Sequence, residues 1–200
     1  MDEDAFWTLI EQSSRETSTR KARLRWLEER LSALPLDEVI DFQKWLDICE
    51  YRSNTWNLWV AYHASVPLGS DDGFLYFRRW LISLGRETFE HVITDPDTLI
   101  EVPEVLHLWK LARRRRTRLW TDEEDPEFES LGYLAYKAYT KRTGLELATL
   151  HEQAFARTGL GEDWNKMRDE QPSPITEEEF ACRFPRILSY WGGMPGPPAE

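Results

Sequence analysis

The amino-acid sequence predicts a compact all-α domain of about seven to nine helices. Three observations support this prediction. Apolar residues recur with the period of an amphipathic helix over most of the 200-residue chain. Capping residues, prolines and glycines separate these periodic stretches. No stretch alternates as a half-buried β-strand would, and no internal repeat of fixed period is visible.

The first three predicted helices follow one another closely. Residues 6–13 carry the apolar stripe of the first, behind acidic residues that favour a helix N-terminus. Leucines line one face of the second helix over residues 24–34, and Pro35 ends it because proline cannot continue a helix. The third helix begins near Asp37, and the helical pattern continues through residues 56–63, either in the same helix or in a successor after a break near residues 53–54.

Turn-forming residues delimit the next helices. Residues 67–69 predict a turn, and Ser70 directly after it has the residue type of an N-cap. The helix that Ser70 opens ends at Gly85, a natural stop. A short helix over residues 86–93 follows, and it ends at the turn-forming cluster Asp95-Pro96-Asp97.

The second half of the chain continues the helical pattern. A helix over residues 105–112 ends in an arginine-rich run at 113–118, and the acidic stretch 121–129 predicts a loop or the start of a helix. Further helices are predicted over residues 131–139 and 147–155. The pattern therefore stays helical beyond the middle of the chain.

The C-terminal end contains one clear helix start. Thr176 and Glu179 form a capping box that opens the last helix, which Pro185 interrupts. The glycine- and proline-rich end of the chain is predicted to be disordered. We therefore divide the chain into a helical domain at residues 1–130, a C-terminal helical extension packed on it at 131–191, and a disordered tail at 192–200.

The composition limits the classes of function. The chain has 25 basic and 36 acidic residues, and this net charge of −11 repels nucleic acid and anionic lipid. The ten tryptophans indicate a real core. Cys49 and Cys182 form no CxxC motif and predict two reduced thiols. The chain has no signal peptide and no run long enough to span a membrane, which predicts a cytoplasmic protein without a membrane partner.

Residues 70–85 form the first candidate site. Asp71 and Asp72 could act there as acid, base or metal ligands, and Arg78 could bind an anion through its planar guanidinium. The competing interpretation, which we favour, is structural. In it, the two aspartates stabilise a helix N-terminus beside Ser70, and Arg78 or Arg79 pairs with a neighbouring acid.

Asp95 and Asp97 form a second acidic candidate. Together with the first pair they could surround a hard cation, which takes several oxygen ligands. The EF-hand pattern is absent, however, and Asp-Pro-Asp is also an ordinary helix-capping turn. We therefore predict no metal site and no cofactor.

An aromatic stripe precedes these acids in the sequence. Trp56 and Trp59, with Tyr62 and His63, fall on or near one helical face and are candidates to stack a ligand. At helical spacing such residues more often belong to a core. The four histidines show no HExxH motif or other short ligand spacing, which argues against zinc.

The arginine-rich run at residues 113–118 is a basic block in an acidic chain. It could contact phosphates. It could also be the C-terminal end of a helix, which favours positive charge, neutralised by the acidic residues 122–125. We favour the second interpretation, so nucleic acid is not a predicted partner.

Six segments have a specific order and spacing: AFWTLI (5–10), LPLDEVIDF (34–42), WNLW (56–59), SDDGF (70–74), FRRWLI (77–82) and DPDTL (95–99). Together they resemble a bacterial family of unknown function, the DUF4240 family. The resemblance marks residues 1–130 as the family-like domain, and it implies a bacterial, cytoplasmic, helical protein. It implies no particular activity.

Two functions remain open from the sequence. The one we favour is a non-catalytic protein-interaction module of inhibitor or immunity type, because the chain is acidic, rich in aromatics and free of recognisable catalytic motifs. The alternative is a small-ligand-binding protein or enzyme that uses Asp71, Asp72 and Arg78 near the Asp95-Pro96-Asp97 turn. That alternative requires these groups to converge on one pocket.

Overall fold

The computed structural model describes residues 1–66, 70–114, 121–161, 163–170 and 175–192. This part of the chain contains eleven α-helices and two 3₁₀ helices, and no β-strand. The all-α prediction is confirmed, and there are more helices than the seven to nine expected because several periodic stretches divide at turns. The elements are α1 (Glu3–Arg15), α2 (Arg20–Ala33), α3 (Leu36–Arg52), α4 (Trp56–Ser65), α5 (Asp71–Ser83), α6 (Arg86–Thr94), η1 (Pro96–Glu101), α7 (Pro103–Arg114), η2 (Glu129–Tyr133), α8 (Leu134–Thr143), α9 (Leu147–Thr158), α10 (Glu177–Arg183) and α11 (Pro185–Gly192).

Some sequence predictions fall outside these residues. The turn at 67–69, the arginines at 115–118 and the tail from 193 onward are not among the described residues. Gly192, the first residue assigned to the tail, is the last residue of α11. The side chains of Asp72 and of the two arginines that end α7 are likewise outside the described part.

Helix starts follow the capping signals in the sequence. Ser70 accepts a hydrogen bond from the Gly73 N–H, and Thr176 forms the predicted capping box with Glu179. Each such cap contributes about 1 kcal/mol because it pairs an N–H group that the first helical turn leaves open. Gly85 is also the N-cap of α6, with a φ of 104° that disfavours any residue carrying a Cβ atom.

Large apolar side chains from α1, α3, α5 and α6 form the centre of the core. Phe6 lies 5.2 Å from both Trp7 and Phe42, measured between ring centroids, and Trp7 lies 5.3 Å from Phe89. Phe77 of α5 is fully buried. Burying an apolar side chain of this kind contributes about 1.5–3 kcal/mol. The predicted apolar stripes are therefore the faces that build the core.

The C-terminal helices attach to this core at several places. α8 packs on α2 and α3, α9 lies against α3, and α11 lies against η1 and α4. Asp97 of η1 accepts hydrogen bonds from two N–H groups in the first turn of α11. Asp169, from the segment before α10, accepts from two N–H groups in the first turn of α4. The two parts of the chain therefore cap each other's helices.

Both cysteines are free thiols, Cys49 buried and Cys182 exposed. Burial raises the pKa of the Cys49 thiol, which keeps this sulfur protonated and unreactive. No helix in the described part of the chain is long and apolar enough to cross a membrane.

Candidate functional site

The first carboxylate of α5 meets the aromatic stripe of α4. Asp71 is exposed, and it accepts a hydrogen bond from the indole Nε1–H of Trp59 at 3.2 Å. The same carboxylate lies 3.4 Å from Nε2 of His63. The ring centroid of Trp56 lies 5.6 Å from that of Trp59, with 74° between the ring planes. We call Trp56, Trp59, His63 and Asp71 the α4–α5 aromatic patch.

Ring contacts hold this patch in place. The His63 ring lies 4.2 Å from Trp59 and 5.0 Å from Tyr62, which is buried in the core. Trp56 and Trp59 remain partly accessible. Nε2 of His63 is buried and makes no hydrogen bond to a described residue, although it lies within ion-pair distance of Asp71. The stripe is therefore divided between core and surface.

Arg78, the predicted anion-binding residue, contacts α3. Its Nη1 donates to the backbone carbonyl of Glu50 at 2.6 Å, and its guanidinium lies 5.1 Å from the centroid of the Phe74 ring. Burial lowers the pKa of Arg78, and its Nε is buried without a hydrogen-bond partner. The described contacts therefore give Arg78 and Asp71 different partners.

A buried polar cluster links α3, α5 and α9, and sequence reasoning missed it. Nε of Arg79 donates to the carboxylate of Glu50 at 2.7 Å, and both side chains are almost buried. Asp47 accepts from Nε2 of Gln43 at 2.8 Å, and burial raises the pKa of Asp47 to about 7. Burial also lowers the pKa of His151 on α9, against the attraction of Glu50. Such shifts occur in active sites and also in structural networks.

The Asp95-Pro96-Asp97 turn holds α11. Asp97 is 2% exposed and accepts hydrogen bonds from the N–H groups of Arg186 and Ile187 at 2.8 and 3.0 Å. Asp95 binds the guanidinium of Arg186 at 2.7 Å. These contacts support the capping interpretation of the turn. In the described part of the chain, no group of three or more His, Cys, Asp or Glu side chains is arranged to hold a metal ion.

An apolar groove lies between α10 and α11. Leu188 and Trp191 are 40% and 37% exposed there, and the Phe180 ring stacks on Trp191 with centroids 5.5 Å apart. We call it the α10–α11 groove. It has a volume of about 590 Å³ and is lined by Ile175, Thr176, Glu177, Glu178, Phe180, Ala181, Leu188 and Trp191.

Sequence reasoning found the start of α10 but not this groove. Phe180, Phe184 and Leu188 recur every four residues across Pro185, which is a helical apolar pattern. That pattern signals one shared apolar face on two consecutive helices. It does not show which of its members lie in the core and which remain exposed.

These features define an all-helical domain with an aromatic patch and an apolar groove on its surface. The chain belongs to the DUF4240 family, described as a protein of unknown function, which matches residues 1–141. The match confirms the resemblance found in the sequence, and the α4–α5 aromatic patch lies within it. The α10–α11 groove lies beyond it. Neither a curated protein nor a solved structure matches the chain.

Proposed function

We propose that the protein is a protein-interaction module, of inhibitor or immunity type, that binds a basic amphipathic helix of a partner protein. The α10–α11 groove carries this proposal. Its apolar walls and its volume of about 590 Å³ suit one face of an amphipathic helix.

Aromatic contacts shape the apolar walls of the groove. The planes of Phe180 and Trp191 are only 14° from parallel, and Phe180 also lies 5.1 Å from Phe184. Phe184 and Ile187 are buried, so they fix the two helices on the rest of the protein. Aromatic walls that are already ordered lose little entropy on binding, which favours affinity.

The rim of the groove is negative. Glu177 and Glu178 are exposed in the first turn of α10, and neither forms an ion pair with a described residue. The arginines of the same two helices have other partners, since Arg183 contacts α4 and Arg186 contacts the turn at residues 95–97. Lysine or arginine beside the apolar face of the partner would complement this rim and speed association.

Peptide binding tests the proposal. A labelled amphipathic helix of leucine and lysine is titrated with the protein, alongside a peptide of the same pattern with glutamate in place of lysine. We expect only the lysine peptide to bind, because only it complements the rim. Trp191→Ser should weaken this binding about tenfold or more, since tryptophan is a typical hot-spot residue.

Trp164→Ser is the matched control. Trp164 is 38% exposed and also packs on a phenylalanine, with its ring centroid 5.7 Å from that of Phe155, but it lies outside the groove. An equal loss of binding in both tryptophan variants would contradict the proposal. If the protein instead self-associates through the groove, the occupant of the groove is a second copy of the chain. Tighter peptide binding after deletion of residues 193–200 would assign it to the protein's own C-terminus.

A second candidate function is the binding of a small organic cation at the α4–α5 aromatic patch. The observation that favours it is the exposed Asp71 carboxylate bound to the indole of Trp59, whose ring meets that of Trp56 at 74°. A cation over an aromatic face gains about 0.5–2 kcal/mol. Titration with tetramethylammonium should shift the indole N–H signal of Trp59, and Asp71→Asn should weaken the effect while Asp95→Asn leaves it unchanged. An unmoved Trp59 signal would exclude this function.

A further inference from the structure

A small polar cavity lies where the end of α1 and the start of α2 meet α5 and the acidic loop before η2. It has a volume of about 190 Å³, and Trp80 forms part of its wall. The exposed hydroxyl residues Ser14 and Ser18 also line it. We call it the Trp80 cavity. Its lining is charged and polar, unlike that of the α10–α11 groove.

Arg23 brings a positive charge to this cavity, and it has no carboxylate partner among the described residues. Its Nε donates to the Ser13 hydroxyl at 2.7 Å, and its Nη2 donates to the carbonyls of Ile10 and Ser83 at 3.0 and 2.6 Å. All three acceptors are neutral. Burial and, to a smaller extent, the nearby charge of Arg20 lower the pKa of Arg23 to about 10. An anion in the cavity would offset the cost of this buried charge.

Arg20 adds a second guanidinium to the wall. Its Nη1 and Nη2 donate to the carbonyls of Glu127 and Asp125, each at 2.5 Å, and it lies 5.0 Å from the centroid of the Phe128 ring. The Arg20 backbone N–H is bound by both carboxylate oxygens of Glu123, at 2.9 and 2.8 Å. The side chain is therefore held in place by backbone carbonyls, and the nearby carboxylates of Asp125, Glu123 and Asp122 attract its charge.

Carboxylates also line the cavity. Glu104 of α7 and Glu123 are both exposed, and both also line a neighbouring cavity of about 390 Å³. The two cavities share Trp80 as well. A simple anion would be attracted by the arginines and repelled by the glutamates, and a simple cation the reverse. A molecule that carries both charges satisfies both sets of groups.

We infer that the Trp80 cavity binds a small zwitterion of the free amino acid class. Its carboxylate would lie at Arg20 and Arg23, whose planar forks suit that group, and its ammonium at Glu104 and Glu123. The cavity holds roughly the volume of six water molecules. That is too small for a drug-sized ligand, whose pockets start at about 300 Å³. The site goes beyond the proposed interaction function and does not depend on it.

Calorimetric titration with each of the twenty common amino acids tests the inference. Acetate, phosphate and ethylammonium serve as probes that carry a single charge. We expect at least one amino acid to bind with a Kd below about 1 mM, the range in which proteins meet their metabolites. The single-charge probes should bind at least about tenfold more weakly, and Glu104→Gln should weaken amino-acid binding by about tenfold because a charge-assisted contact is lost.

A second pair of variants separates the cavity from the rest of the surface. Ser14→Leu fills the cavity from an exposed position of α1 and should abolish binding. Gln12→Leu adds the same side chain at an exposed position of α1 outside the cavity wall, and it should bind normally. The inference is overturned if no amino acid binds at about 10 mM, well above usual metabolite affinities. Equal binding of acetate or phosphate alone, or unimpaired binding by Ser14→Leu, would also overturn it.

Discussion

The part of the chain that the family matches and the part beyond it are stabilised in different ways. Residues 1–141 share a continuous apolar core that includes Phe6, Phe42 and Phe77. The residues after 141 add few fully buried apolar side chains. Among the described residues these are Leu150, Ala154, Phe184 and Ile187.

Carboxylates join the two parts at several places, among them the ion pairs of Asp37 and Asp41 with Arg157 of α9. Asp97 caps α11, Asp169 caps α4, and Glu50 of α3 lies close enough to His151 of α9 to affect its charge. Hydrogen bonds to carboxylates are directional, whereas apolar burial is not. The apolar core therefore supplies most of the stability, and the carboxylates set the position of the C-terminal helices. We therefore expect α10 and α11 to open locally before the core does.

Asp97→Ala should have the largest effect, because it removes the carboxylate that holds α11 on η1. The Asp97 carboxylate is 2% exposed and accepts from the N–H groups of Arg186 and Ile187. Its removal leaves both N–H groups without an acceptor, and each unpaired group costs about 1–3 kcal/mol. We expect the free energy of unfolding in urea to fall by about 3 kcal/mol, roughly the sum of these two costs. Hydrogen exchange should show protection lost first in α11.

Asp95→Ala is the matched control for this change. Asp95 meets Arg186 through a half-exposed ion pair at 2.7 Å and caps no N–H group with its side chain. Such pairs contribute about 0–1 kcal/mol. Equal destabilisation by the two variants would mean that the turn acts through its charge and not as a cap.

Asp47→Asn should stabilise the protein above neutral pH. The buried Asp47 has its pKa raised to about 7, so the folded protein keeps a proton that the unfolded chain has already released. Stability from this group is full below the usual pKa of 3.8, falls as the pH rises towards 7, and stays low above it. We expect a gain of about 2 kcal/mol for the variant at pH 8 and little change at pH 4.

The contacts of Gln43 explain why an asparagine amide suits position 47 better than a carboxylate. Its Oε1 is buried without a partner, while its Nε2 donates to Asp47. A protonated carboxyl, or an asparagine amide, can donate to that oxygen, whereas a carboxylate cannot. Urea denaturation of both proteins across the pH range measures the effect. Parallel pH profiles would show that Asp47 ionises in the fold without a penalty.

Most of the fold could be predicted because its signals are local. The apolar stripes, the Ser70 cap and the capping box at Thr176 lie within a few residues of the helices that they define. The division into more helices than expected also has local causes. Pro185 was predicted to interrupt the last helix, and α10 does end at Arg183, after which Pro185 begins α11.

The candidate sites were less predictable because they depend on distant contacts. Asp97 caps a helix 89 residues away, and Asp169 caps one 113 residues away. No local pattern shows which carboxylate meets which helix. Trp59 and Asp71 were chosen from the sequence, and they do meet. His63 lies one helical turn after Trp59 and so on the same face, as its place in the predicted aromatic stripe implies.

Asp169→Ala tests a cap that the C-terminal part provides to the family-matched part. We expect it to lower the free energy of unfolding less than Asp97→Ala does. Asp169 lies beyond the family match, and it accepts from the N–H groups of Trp56 and Asn57 at 2.5 and 3.1 Å. Unlike Asp97 it is only partly buried, and Thr55 caps the same helix by accepting from the Leu58 N–H. Water and Thr55 can replace part of what is lost, so we expect a loss of about 1 kcal/mol.

A control variant and a double variant with Thr55 test how the start of α4 is capped. Asp163→Ala is the control, because Asp163 forms only an exposed ion pair with Lys166 three residues away, and it should change stability by less than about 0.5 kcal/mol. The double variant Thr55→Ala/Asp169→Ala should lose more free energy of unfolding than the sum of the two single variants, because either cap alone still stabilises the start of α4. Strict additivity would show that the C-terminal segment caps α4 independently. A loss as large as that of Asp97→Ala would show that burial does not set the strength of these caps.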